Sequence, residues 1–218
     1  QNQISVPAFD VGGGNIDMIN AVCEVLASRN VAAFLVSTPS SIEDYFGMPH
    51  FVRAVETAAE RYNANVVTHL DHATKVADVE KAIDLGFSSV MYDGSSLSIE
   101  ENSELTKKIV QYAHSKGVSV EAELGVIAGK EDLVVAESSR FPTLEQAVEF
   151  IEYTGIDYFA PAIGTVHGFF KGEPDIQWDL VHKLNSNCLI PLVLHGGTGL
   201  PDPVVSDLLQ KGFQKINY

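Results

Sequence analysis

Three histidines in this sequence share a local context. His72 closes the run Val66-Val67-Thr68-His69-Leu70-Asp71-His72, with an acid beside it. His167 ends Ala160-Pro161-Ala162-Ile163-Gly164-Thr165-Val166-His167, and His195 follows Leu192-Val193-Leu194. Each apolar run reads as a buried strand, and the carboxyl ends of strands are where α/β proteins build their sites. A lone histidine in such a place is usually structural. Three of them opening on one mouth suit a single zinc ion held by neutral imidazoles, with one position open to a substrate. Asp71 has two readings: an acid that orients a histidine from behind, or a general base beside a divalent cation. The other histidines, His50, His69, His114 and His182, fall within or at the edges of helices or inside a strand and read as structural or surface groups. His69 shares strand parity with Asp71 and could support the site from below.

Further groups fall on the same mouth. Glu121 and Glu123 alternate on Val120-Glu121-Ala122-Glu123-Leu124, so both point into the sheet's interior, a costly place for a carboxylate unless it is paired or near a metal. Asp93 ends a strand in Tyr92-Asp93-Gly94-Ser95. His195-Gly196-Gly197-Thr198-Gly199 is a glycine-rich turn whose backbone N–H groups suit an oxyanion, and Lys171 in Gly168-Phe169-Phe170-Lys171-Gly172 adds a cation after the preceding strand. Taken singly, the turn is a weak signal and Lys171 reads as a solvated loop residue. The stretch 126–141 lacks periodicity and reads as a long mobile loop over the mouth; Glu131 or Asp132 could enter the site from it, or both are exposed acids.

These residues need a frame that brings distant segments to one end. Apolar runs at 5–11, 32–37, 65–71, 88–93, 118–124, 158–164, 189–195 and 214–218 alternate with seven helical patterns at 15–28, 51–62, 76–85, 98–116, 143–155, 175–184 and 203–211. Ser98/Glu101 and Thr143/Gln146 have capping-box spacing. Eight strands with intervening helices predict a parallel sheet closed into a (β/α)8 TIM barrel. The reading is one domain over residues 1–218, with the final helix missing and a truncated carboxyl end.

Bulk properties narrow the partners. Lys plus Arg is 14 and Asp plus Glu is 29, a formal charge of −15, with 45% hydrophobic and 20% charged residues. So acidic a chain is poorly suited to nucleic acid or anionic membranes, and a phosphate substrate would need local positive potential. The two cysteines, Cys23 and Cys188, have neither metal-ligand spacing nor the density of a disulfide framework. No apolar run reaches membrane-span length and no secretory signal pattern opens the chain, so the expected location is the cytoplasm.

The pieces His69-Leu70-Asp71-His72, Asp93-Gly94-Ser95, Glu121-Ala122-Glu123-Leu124-Gly125, Gly129-Lys130-Glu131-Asp132, Gly164-Thr165-Val166-His167-Gly168, Lys171-Gly172, His195-Gly196-Gly197-Thr198-Gly199 and Lys215-Ile216-Asn217 stand in one order from about residue 5 to the end. In these motifs the chain resembles the class II, metal-dependent ketose-bisphosphate aldolases, which include fructose- and tagatose-bisphosphate aldolases. The resemblance implies that His72, His167 and His195 hold one catalytic Zn²⁺, with Glu123 and Asp93 as acidic positions near the metal. It implies Asp71 as the acid/base on the C4 hydroxyl and Glu131 as a loop acid assisting proton exchange. Gly168, Lys171, Gly196, Gly197, Thr198 and Asn217 would hold the dihydroxyacetone phosphate portion, with a monovalent cation such as Na⁺ or K⁺ near the phosphate. A homodimer or homotetramer is implied as well. The chain departs from the family's pattern at Asp10, where Asn is usual, at Ser96, where His is common, at Ser98, where Pro is common, and at Thr198, where Ser is frequent.

The retro-aldol reaction leaves a carbanion beside a carbonyl, which a Lewis-acidic metal stabilises. The competing strategy uses a lysine Schiff base; the expected third to seventh strands carry no lysine, and only Lys215 lies in a strand, the eighth. Two other function classes stay open: a non-catalytic phosphosugar-binding protein on the same scaffold, and a zinc hydrolase.

Overall fold

The computed structural model describes residues 4–132, 134–168 and 174–218. Eight parallel strands close into a barrel. They are β1 (Val6–Asp10), β2 (Ala32–Ser37), β3 (Asn65–Ala73), β4 (Ser89–Tyr92), β5 (Ser119–Leu124), β8 (Tyr158–Pro161), β10 (Leu192–Leu194) and β11 (Phe213–Asn217). Around the barrel the order is β1-β11-β10-β8-β5-β4-β3-β2. A small second sheet, ordered β7-β6-β9, is formed by β6 (Ala128–Glu131), β7 (Val134–Ala136) and β9 (Val166–His167). The helices are α1 (Ile16–Arg29), α2 (Pro39–Tyr45), α3 (Met48–Tyr62), α4 (Val76–Leu85), α5 (Ile99–Ser115), α6 (Leu144–Thr154), α7 (Trp178–Asn187) and α8 (Asp202–Gln210). This is the (β/α)8 architecture that the alternating pattern predicts. No helix among the described residues is long and apolar enough to cross a membrane.

Strand alternation splits the interior in two. Outward-facing residues such as Leu35, Leu70, Val90, Val120 and Phe159 pack beneath the helices, against Phe51, Val79, Ile109 and Phe150 among others. Inward-facing Ala8, Phe34 and Val36, with Val6, Val67 and Tyr158 against them, form a separate apolar cluster. The rings of Phe34 on β2 and Tyr158 on β8 meet edge to face at 6.0 Å although their strands lie on opposite sides of the barrel, so that cluster plugs the barrel's inside.

Helix ends follow local chemistry. Both expected capping boxes close, Ser98 with Glu101 and Thr143 with Gln146. The Ser98 departure thus provides a cap. A helix that apolar periodicity does not predict, α2, starts because the Thr38 side chain accepts from Ser41 N–H and Pro39 stands at the first helical position.

Two expectations are corrected. The stretch 126–141 is not a structureless loop: β6 and β7 form an antiparallel hairpin, with a Val126–Arg140 bridge at its base. Asp132 supplies the left-handed residue of its turn (φ 47°), a conformation that aspartate takes more readily than most side chains. Nor does the strand expected at 158–164 reach Gly164. It leaves the barrel after Pro161, and residues 166–167 pair with β6 instead.

Candidate metal centre and active site

Alternation along β3 would send Asp71 into the barrel and His72 out of it. Instead His72 takes a left-handed backbone (φ 47°) and the pairing with β4 slips between Leu70 and Ala73. A non-glycine residue there costs on the order of 1–3 kcal/mol. The consequence is that two adjacent ionisable side chains both face the mouth.

His167 is positioned by contacts distant in sequence. Its short strand β9 lies between two glycines. A Cβ on Gly129 would stand 2.2 Å from the His167 carbonyl oxygen, and one on Gly196 would stand 2.4 Å from that of Val166. Both glycines have positive φ, at 116° and 66°, so they permit both the backbone course and the close approach. His195 follows β10 directly and opens the glycine turn.

The three imidazoles converge. Their ring centroids are 4.6 Å apart for His72 and His195, 5.0 Å for His72 and His167, and 6.0 Å for His167 and His195. One nitrogen from each lies within 4.8 Å of the others. His72 Nε2 faces His195 Nδ1 at 2.8 Å. The far nitrogens are held from behind: His72 Nδ1 is 2.9 Å from Asp93 Oδ2, and His195 Nε2 is 2.7 Å from Glu121 Oε1. Asp93 is itself fixed by the Ser95 N–H, which donates to Oδ1 at 3.0 Å. His167 Nε2, Asp71 Oδ1 and Glu123 Oε2 are buried with no hydrogen-bond partner among the described residues. Buried polar atoms are rarely left so, and orphaned acceptors around converging imidazoles fit a bound divalent cation.

Asp71 accepts from Asn217 Nδ2 at 2.9 Å through Oδ2, so Asn217 orients this carboxylate as well as bordering the cavity. His69 sits beneath, its Nδ1 2.8 Å from Ser89 Oγ and its Nε2 3.6 Å from Asp71 Oδ1. Lys215 is inside the barrel and almost fully buried. Its Nζ donates to Glu121 Oε2 at 2.8 Å and lies 5.4 Å above the Phe34 ring. Strand parity with Asn217 puts Lys215 inside; that Glu121 receives it could not be read without the fold.

The electrostatics follow from four carboxylates gathered in one buried place. Burial disfavours the His72 imidazolium, but the Asp71 charge and the Asp93 hydrogen bond outweigh it and raise its pKa to about 10. Burial also opposes ionisation of Asp71, yet His72, His69 and Lys215 hold it well below the usual carboxylate range. Asp93 is brought to about 2 by His72, and Glu121 to about 2 by Lys215 and His195, each against burial. For Glu123, burial and the nearby Asp93 charge act together and push its carboxyl well above the normal value. His167 falls to about 3 through burial and the charge of its histidine neighbours, which leaves it a neutral imidazole. A pocket this rich in negative charge favours a cation.

A cavity of about 190 Å³ opens above these groups, lined by Asp71, the three histidines, Gly168, Gly196, Thr198 and Asn217. Asp10 borders it too, but its Oδ1 is engaged by the Gly12 N–H at 2.9 Å and by Ser37 Oγ at 3.2 Å. Gly197 does not line the cavity. It packs against β11, where a Cβ would come within 2.9 Å of Asn217 O and Ile216 Cγ2. Asp93 and Glu123 stand behind the histidines. The side chain of Glu131 and the whole of Lys171 lie outside the described residues.

Comparison with known proteins gives this site a context. The family model "Fructose-bisphosphate aldolase class-II" matches residues 1–218. A fructose-bisphosphate aldolase of Staphylococcus epidermidis is 40% identical over 205 residues, covering 93% of this chain and 72% of that protein. Its counterpart in Staphylococcus aureus is 38% identical over 219 residues, covering 100% of this chain and 76% of that protein. The crystal structure of the YdjI aldolase from Escherichia coli K12 superposes with a TM-score of 0.84 at 26% identity, covering 99% of this chain and 75% of that one. With the whole chain matched by the family model and relatives of about 40% identity, the chain belongs to the class-II fructose-bisphosphate aldolase family, and is an aldolase, a carbon–carbon lyase.

Proposed function

We propose that this aldolase is zinc-dependent and reversibly cleaves a ketose 1,6-bisphosphate to dihydroxyacetone phosphate and glyceraldehyde 3-phosphate. The observation that carries the reading is the shared cavity: three converging imidazoles and Asp71 form one wall, and the glycine turn with Asn217 forms the other. Fructose 1,6-bisphosphate is the first substrate to test, because the Staphylococcus relatives are named for it. The Asp93-Gly94-Ser95 form leans toward the tagatose branch.

His72, His167 and His195 would hold the ion, with Asp93 and Glu121 behind two of them and Glu123 as a further acid nearby. When bound there, a divalent ion supplies positive charge where negative charge develops beside the substrate ketone. Asp71 takes the C4 hydroxyl proton as the C3–C4 bond breaks. Its Oδ2 is occupied by Asn217 while its Oδ1 has no hydrogen-bond partner among the described residues, so Oδ1 is the atom left to receive a proton. Gly168, Gly196, Gly197 and Thr198 form the turn region assigned to the phosphate, Gly197 by holding the turn against β11 and the others by bordering the cavity. Lys171 and a monovalent cation are assigned to the same anion, and Glu131 to proton exchange on the three-carbon ketone. The 218 residues are read as a single barrel domain, acting in a cytoplasmic homodimer or homotetramer.

The test is release of dihydroxyacetone phosphate from fructose and tagatose 1,6-bisphosphates supplied separately, before and after chelation and with zinc restored. Chelator-sensitive cleavage is expected, and the ratio of rates names the substrate. Zinc bound without cleavage of either sugar would favour the phosphosugar-binding reading, and phosphate release without an aldehyde would favour a hydrolase.

A further inference from the structure

We propose that Glu121, anchored by Lys215, is a positioning residue that fixes the tautomer of His195 and turns its Nδ1 lone pair toward the candidate metal site. The inference rests on the metal reading of that site. Glu121 faces two groups at once, with Oε1 at 2.7 Å from His195 Nε2 and Oε2 at 2.8 Å from Lys215 Nζ. An ammonium only donates, and an ionised carboxylate only accepts. Oε1 must therefore accept from a protonated Nε2. A neutral imidazole that carries its proton on Nε2 has its lone pair on Nδ1, and Nδ1 is the nitrogen that faces His72 Nε2.

His72 shows the same construction with the ring atoms exchanged. Asp93 holds its Nδ1, and its Nε2 faces the centre. Two histidines thus turn opposite ring nitrogens toward one point because carboxylates from neighbouring strands, Asp93 just after β4 and Glu121 on β5, claim the other nitrogen. Neither Glu121 nor Lys215 lines the cavity, so neither acts by touching substrate. Glu121, Lys215 and His195 are 0%, 1% and 2% exposed, which leaves almost no water to compete for these hydrogen bonds. Lys215 fixes the second carboxylate oxygen, so Glu121 cannot rotate away without leaving a buried ammonium unpaired. The same pair occupies the only lysine expected in a barrel strand, and so removes Lys215 from the Schiff-base role.

The experiment uses the whole chain, metal-free and then with zinc alone, in wild-type, Glu121→Gln and Glu121→Ala forms. Long-range proton–nitrogen NMR on ¹⁵N-histidine protein reports which ring nitrogen of His195 carries the proton; His195→Gln assigns the signal. Wild type is expected to show Nε2–H, and Glu121→Ala to lose that preference. Zinc affinity, measured by competition with a chromophoric chelator, is expected to fall by about 10–100-fold in both variants. The isosteric Gln keeps the volume should Ala fail to fold, and cannot accept from both His195 and Lys215. A wild-type Nδ1–H tautomer, or zinc affinity in Glu121→Gln within about twofold of wild type where about tenfold is the least expected, overturns the proposal. Absence of zinc binding by wild type would instead defeat the metal reading, and the tautomer measurement would still decide the role of Glu121.

Discussion

The inside of this barrel has two floors built on opposite principles. Toward the amino-terminal ends of the strands, Ala8, Phe34, Val67 and Tyr158 fill the space with apolar contacts. At the carboxyl ends, Asp71, His72, Asp93, Glu121, Glu123 and His195 are buried together, several of them against the preference of burial for neutral groups. The lower floor needs nothing from outside, since its side chains satisfy one another by packing. The upper floor leaves His167 Nε2, Asp71 Oδ1 and Glu123 Oε2 without a hydrogen-bond partner among the described residues. Lys215 joins the two, its ammonium paired with Glu121 above and resting over the Phe34 ring below. Inside the barrel, apolar packing thus lies toward the strand beginnings, and unsatisfied chemistry at the strand ends.

Substitutions should therefore separate by floor. The largest effect is expected for His167→Ala. It deletes a neutral imidazole whose Nε2 has no partner among the described residues, so the metal-free protein should unfold at nearly the wild-type temperature while bound zinc and cleavage are lost together. Zinc content unchanged in this variant would break the three-histidine centre. Asp71→Ala comes next: turnover should fall by about 10²–10⁴-fold, with zinc still bound. Near-normal turnover would remove Asp71 as the base and return it to orienting its neighbours.

The contrast between floors also explains what could be read from the sequence. The eight barrel strands were visible because their outer faces pack under helices and write apolar runs into the chain, and two helix starts were visible as capping boxes. The place of His72, His167 and His195 at one mouth followed from the apolar runs that lead into each of them. Less legible was whatever depends on one backbone angle or a contact distant in sequence. The left-handed turn at His72 brings it beside Asp71, and strand alternation alone would point it outward. The 126–141 hairpin is joined to β9 where Gly129 lets β6 lie against His167, a contact between segments nearly forty residues apart. Glu121 and Lys215 could each be placed inside by parity, but not paired.

On the lower floor the expected effect changes in kind. Phe34 touches Tyr158 across the barrel and His69 at 5.8 Å. Phe34→Ala should leave a cavity and cost about 3–5 kcal/mol of stability, read as a lower denaturation midpoint. Zinc content and the Michaelis constant of the remaining folded enzyme should stay near wild type, because no atom of the upper floor relies on Phe34 for a hydrogen bond. Loss of zinc at full folding would mean that the floors are coupled through Lys215 more tightly than their separate packing implies.

The smallest effect tests where the site ends. Ser98 caps α5 five residues after Asp93, close in sequence to the mouth. Its side chain accepts from the Glu101 N–H, and the Glu101 carboxylate accepts in return from the Ser98 N–H. These bonds stay within the first turn of α5, while Asp93 is held by the Ser95 N–H instead. Ser98→Ala should therefore cost only about 1 kcal/mol of stability, seen as a shift of a few degrees in thermal unfolding, with unchanged kcat and zinc affinity. A fall in zinc affinity out of proportion to that shift would show that the cap also holds the 93–95 turn in place, and the boundary between scaffold and site would then run through α5 rather than before it.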